Sequence, residues 1–130
     1  MTRDDLVHGL DRAAAGWSEG NALAVADCFA EDLDYSDPVR YRFTRREELI
    51  PFFEPPAGGH RVDWHTILWD DATQLGAVEY TYSGEHRYHG AAMVGLDGDG
   101  RIRLWREWQH VDDRRYWAAM LAGAPDDGGP

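Results

Sequence analysis

Apolar residues recur at helical intervals in the first third of the chain and alternate with polar ones in the second half. Leu6, Leu10, Ala13, Ala14 and Trp17 share one helical side, and Thr2 with Asp5 three places on forms a capping pair. The spacing predicts a helix over about 3–18. Asn21 can cap a second helix whose apolar side carries Leu23, Ala26, Cys28 and Phe29. Leu33 to Asp37 alternates like a strand, and Pro38 limits it to a strand edge or end. Thr44 and Glu47 predict a capping box for a short third helix through Phe53, bent or shortened by Pro51. Pro55 to Gly59 reads as a loop.

Four strand-like runs follow, at about 61–69, 75–83, 87–96 and 101–110. Asp70-Asp71, Ser83-Gly84 and the stretch Asp97 to Gly100 supply the turns, so the runs read as an antiparallel meander. Arg114 to Leu121 returns to helical spacing, with Trp117, Met120 and Leu121. Helices first and a meander afterwards is the α+β pattern. A strongly twisted sheet closed by helices leaves a pocket between the layers. The expected organisation is one domain over 1–122 and a disordered, Gly-rich tail over 123–130.

The 130 residues suffice for one core without staples. Six Trp, six Tyr and four Phe are many for this length and point to a pocket or an interface. The formal charge of −11 disfavours nucleic acid and anionic membranes as partners. One cysteine, Cys28, allows no intrachain disulfide and reads as a buried thiol. No apolar run follows the N-terminus, so a cytoplasmic protein is expected. No His-x-x-x-His or Cys-His spacing suggests a metal, and neither a Gly-rich phosphate loop nor a Gly-x-Ser-x-Gly motif is present. The expectation is therefore a protein without metal or cofactor. Arg40, Arg42, Arg45 and Arg46 form a basic cluster that reads as solvated loop charge, or as a guide for an anionic ligand.

Particular motifs narrow the class. Cys28-Phe29-Ala30-Glu31-Asp32 followed by Tyr35-Ser36-Asp37-Pro38-Val39 resembles the helix-to-strand junction of ketosteroid isomerase, which carries a catalytic Asp-Pro. Gly100-Arg101-Ile102 followed by Trp105-Arg106-Glu107-Trp108 resembles the ending of SnoaL-like polyketide cyclases. With the element order, these segments resemble the nuclear transport factor 2-like superfamily over about residues 3–118. The resemblance implies a cone-shaped half-barrel, a curved antiparallel sheet wrapped around N-terminal helices with an internal pocket. It places Asp37 at the isomerase's general base, and Trp105, Glu107 and Gln109 at pocket positions of the last strand. It also exposes departures. The isomerase's two oxyanion donors fall on Ala13 and on Ala92 or Met93, and the cyclase's acid/base Asp falls on His110. Steroid isomerisation by that mechanism is thereby disfavoured.

Alternation sorts the remaining side chains. With Asp37 inward, Tyr35 is inward too; Val78, Tyr80 and Tyr82 fall inward on their strand, and Ala13 and Trp17 share the inward side of the first helix. The expected site is Asp37 and Glu107 as catalytic carboxylates in one cavity, with Trp17, Tyr35, Val78, Tyr80, Trp105 and Gln109 binding substrate. Two carboxylates in an apolar pocket repel one another and resist ionisation, so one can serve as acid and the other as base. A one-residue bulge in the last strand would instead bring Arg106, Trp108 and His110 inward. With the direct register, Arg106 and Glu79 suit an outward ion pair, and an outward Trp108 suits a homodimer through the outer sheet face. Three function classes remain open: a cofactor-independent isomerase, cyclase, dehydratase or hydrolase acting on a small hydrophobic or aromatic molecule; a non-catalytic binding protein; and a dimeric interaction module.

Overall fold

A computed structural model describes residues 1–54, 60–84, 86–111, 118 and 120–123. The expected loop over 55–59, most of the helix expected over 114–121 and the tail from 124 lie outside the described residues.

The chain begins with α1 (Arg3–Ser18), which Thr2 and Asp5 cap reciprocally, and α2 (Ala22–Ala26), capped by the Asn21 side chain. Then come β1 (Phe29–Asp37), β2 (Tyr41–Arg45) and α3 (Arg46–Phe53). The meander is β3 (Arg61–Asp70), β4 (Leu75–Ser83), β5 (Arg87–Leu96) and β6 (Ile102–Val111). The third helix starts one residue later than Thr44 would set it. It is Glu48, not Glu47, whose carboxylate accepts the N–H groups of Thr44 and Arg45, at 3.0 and 2.9 Å.

The six strands form one curved, unclosed sheet in the order β2-β1-β6-β5-β4-β3. The meander is antiparallel throughout, but β1 runs parallel to β6, with Tyr35 opposite Trp105. The sheet is therefore mixed: the expected curved antiparallel meander is present, and one parallel pairing joins β1 to it. The first and last strands pair across the whole meander, a contact for which local sequence carries no signal. The stretch read as a loop around Arg40 to Arg46 contains β2. Its first residues alternate: Tyr41 and Phe43 pack against Phe52 with ring centroids at 5.0 Å, while Arg42 reaches out to Asp34; Arg45, at the strand end, reaches Asp32.

The α1 face predicted from periodicity is buried. Leu6, Leu10 and Ala13 are 0–1% exposed, and each buried leucine contributes about 1.5–3 kcal/mol. The Trp64 indole donates to the Leu10 carbonyl at 3.1 Å and ties α1 to β3. A bulge does occur in β6, but it falls at Arg103, between the pairs Gly95–Leu104 and Leu96–Ile102. That extra residue is why Ile102 and Trp105, three apart, are both buried. Beyond it the alternation runs undisturbed through Glu107 and Gln109.

Candidate active site

The concave side of the sheet, α1 and α3 enclose a cavity of about 270 Å³. Ten of the fifteen lining residues are aromatic, with Glu107, Gln109, Arg40 and His60 as the polar members among the described residues. Trp17 reaches it from the last turn of α1 and meets Phe53 of α3 edge-on at 5.4 Å. Tyr35 and Trp105 stack at 6.0 Å with ring planes 12° apart, a consequence of their pairing across β1 and β6.

Glu107 sits 3% exposed among these rings. Its Oε1 accepts the Trp105 indole N–H at 2.8 Å and the Tyr80 hydroxyl at 3.1 Å. Its Oε2 accepts a short hydrogen bond from the Tyr41 hydroxyl. Gln109 donates to Tyr80 Oη at 3.1 Å, so an amide-to-phenol-to-carboxyl chain runs into the site. Burial holds the Glu107 carboxyl above its ordinary range, and the bonds from Tyr41, Trp105 and Tyr80 only partly offset that. Burial, then the nearby Glu107 charge, keeps the phenols of Tyr35, Tyr41 and Tyr80 protonated far above neutral pH. Gly90 makes room for this network. A methyl group there would stand 3.0 Å from the Tyr80 ring and 2.9 Å from the Trp108 carbonyl.

The structure brings Trp17, Tyr35, Tyr80, Trp105, Glu107 and Gln109 to one cavity and leaves Asp37 and Val78 out of it. Asp37 is buried at the end of β1, but its carboxylate folds back over its own turn. It accepts the backbone N–H groups of Val39 at 3.0 Å and Arg40 at 3.2 Å, and the Arg40 side chain at 2.7 and 3.0 Å. This is the capacity of Asp to satisfy N–H groups two and three residues on. Asp37 lines a second hollow with Ser36, Arg40 and Arg106, on the other side of Arg40 and Tyr41, which border both. Asp37 and Glu107 therefore do not open into one cavity as expected. Val78 is 1% exposed and belongs to the core. Its register partners Ile67 and Ala92 place it deeper along the sheet.

Tyr41, Phe52, Trp64 and His60 line the cavity without having been singled out from sequence. Tyr41 was hidden by the reading of β2 as a loop. His60 follows the 55–59 segment, where no periodicity marks a facing side. Its Nε2 lies 3.5 Å from the Tyr82 hydroxyl, and burial lowers its pKa, so the ring is neutral near pH 7. On the outer face, Glu79 pairs with His89 at 3.4 Å rather than with Arg106, and Thr81 Oγ1 lies 2.7 Å from His65 and 3.3 Å from His89. Among the described residues, no three His, Cys, Asp or Glu side chains are grouped to hold a metal ion. No described helix is long and apolar enough to cross a membrane.

No protein-family model matches the chain, and no curated protein sequence is similar to it. Solved structures are. An epoxide hydrolase of the LEH-like type from M. tuberculosis superposes with a TM-score of 0.68 at 18% identity, covering 93% of this chain and 98% of that one. The epoxide hydrolase/cyclase-like enzyme SalBIII, which has a role in pyran ring formation in the polyether salinomycin, superposes at 0.70 with 12% identity over 84% and 95%. A protein of ketosteroid isomerase-like fold from Catenulispora acidiphila, solved in complex with trimethylamine, gives 0.65 and 18% over 94% and 97%. At these identities the likeness is one of fold. The chain has the α+β cone of the nuclear transport factor 2-like proteins, with the pocket at its centre.

Proposed function

We propose that the cone is the active site of a cofactor-independent acid/base enzyme acting on a small, largely apolar molecule, with Glu107 as the proton-transferring group. One observation carries this reading: Glu107 is the carboxyl of the cavity, buried, supported by three neutral donors and held above the ordinary carboxyl range. A carboxyl raised toward neutrality can both give and take a proton, which is the requirement of isomerisation, cyclisation, dehydration or epoxide hydrolysis. In this reading Asp37 holds the β1–β2 turn. Hydrolase and cyclase neighbours of the same fold support the reaction class. The test is a screen of small epoxides and β,γ-unsaturated ketones for turnover, followed by Glu107→Gln. A fall of roughly 10²-fold in turnover with folding intact is expected. Unchanged turnover in the folded variant would overturn the role of Glu107.

The saturation of Glu107 favours a second reading, a non-catalytic binding protein. Both oxygens already accept hydrogen bonds, as in a carboxyl that fixes the shape of a site. Saturable ligand binding with no turnover across the screen would select it.

A further inference from the structure

We propose that the cavity takes a ligand bearing one tertiary or quaternary alkylammonium centre, held against the aromatic rings with Glu107 as its counter-ion. The proposal rests on reading the cone as a small-molecule site and names the chemistry of the guest.

The walls supply the first argument. The Trp105 ring has Tyr35, Tyr80 and Trp64 around it with centroids at 6.0, 6.0 and 6.1 Å and interplanar angles of 12°, 46° and 66°. All four rings line the cavity; Tyr35 stacks on Trp105 and the other two are tilted to it, so the aromatic wall turns around the space instead of lying in one plane. Aromatic faces are electron-rich and attract a cation that shows them methyl groups.

The charge balance supplies the second. The hydrogen-bond donors to Glu107 among the described residues are two phenols and an indole, all neutral. The guanidinium at the wall, Arg40, is taken by Asp37 through both Nε and Nη2. A buried carboxylate needs a cation or a proton. A neutral apolar guest fills the space and leaves Glu107 to hold its proton, and an anionic guest sets like charge beside it. A divalent metal would want several oxygen ligands where one carboxylate stands. A primary ammonium would want three acceptors. An alkylated ammonium wants rings and one counter-charge, which the cavity offers. The net charge of −11 draws such a cation toward the protein.

Binding would also tune the site. A cation beside Glu107 favours its ionised form, so the carboxyl releases its proton to solvent as the guest enters. The groups facing Glu107 are Tyr35 on β1, Tyr41 on β2, Tyr80 on β4 and the Arg40–Asp37 pair, with His60 elsewhere on the wall. The phenols stay neutral and Arg40 stays charged across the neutral range, and burial holds the His60 ring neutral there, which leaves Glu107, raised by its own burial, as the group whose charge the guest shifts.

Choline and 3,3-dimethylbutan-1-ol share a shape and differ in the charge, so calorimetry with this pair isolates the cation. At pH 8 choline is expected to bind at least about tenfold more tightly. That preference should shrink as the pH is lowered and Glu107 takes up its proton, and it should vanish in Glu107→Gln. Equal or tighter binding of the alcohol by the native protein would overturn the cation while leaving the cone a small-molecule site. Absence of binding by either compound at about 10 mM would count against both readings. Should the Gln variant not fold, the native protein decides: a choline preference that ignores pH would overturn Glu107 as the counter-ion.

Discussion

The Arg40 guanidinium grips the Asp37 carboxylate at 2.7 Å through Nη2 and 3.0 Å through Nε, while the N–H of Val39 reaches the same carboxylate at 3.0 Å. Burial opposes ionisation of Asp37, but these bonds outweigh it and hold the carboxyl below its ordinary value. Asp37→Asn is therefore expected to cost about 1 kcal/mol at pH 7, because Arg40 is half exposed and the pair is partly screened. A depressed folded pKa gives stability that is present above the unfolded value and lost as pH falls through the folded one. The gap between native protein and variant in urea unfolding should accordingly close below about pH 4. Ligand affinity should change less than about threefold. A folded Asn variant that loses ligand binding or turnover by tenfold or more would return Asp37 to the site.

Tyr41 and Glu107 lie 66 residues apart and are joined by a short hydrogen bond. Tyr41→Phe removes the donor on Oε2 and leaves Oε1 with Tyr80 and Trp105. A lost donor disfavours the carboxylate, so the Glu107 titration midpoint should rise further. Carbon-13 NMR of the side-chain carboxyl would follow it directly. An unchanged or lowered midpoint would mean that Tyr41 does not support the charged form.

Much of this was legible in the sequence, for reasons of period and punctuation. The α1 stripe and its Thr2 cap and the turns at Asp70, Ser83 and Asp97 depend on neighbours along the chain, while the inward set of Trp105, Glu107 and Gln109 came from the family resemblance, since period two alone leaves the choice of face open. The parallel pairing of β1 with β6 does not depend on such neighbours, and it escaped. So did β2, because four arginines in seven residues look like solvent-facing loop even when Tyr41 and Phe43 alternate between them. Asp37 shows the remaining limit. Alternation puts it on the same strand side as Tyr35, but a carboxylate at a strand end can turn to its own backbone, and a period-two argument cannot see that.

The outer sheet face is proposed to pair with a second copy of the chain. Trp108 and Leu68 stand 51% and 61% exposed on it. Arg106 has no ion-pair partner among the described residues, while Glu79 lies on the same face. A two-fold interface sets one patch against itself, so an acidic and a basic group on the same patch can meet across it. Sedimentation should give about twice 14.7 kDa at micromolar concentration. Trp108→Ser should shift the protein toward monomer. A native monomer under these conditions would end the proposal.

Glu107 should cost stability where it serves function. Burial raises its folded pKa above the ordinary 4.5, so its protonated form stabilises the fold fully below about pH 4.5. That contribution is lost as pH climbs through the raised folded value, where the fold must either carry a buried charge or hold the proton against solvent. Glu107→Gln removes the titration. The amide oxygen can still accept from Trp105 and Tyr80, and the Tyr41 hydroxyl can turn to accept from the new NH₂ group. The variant should match the native protein near pH 4 and exceed it by about 1–2 kcal/mol at pH 8. Thermal or urea unfolding at the two pH values measures the difference. A variant less stable than the native protein at pH 8 would mean that the three donors outweigh burial, and that the ionised carboxylate is itself a stabilising part of the core.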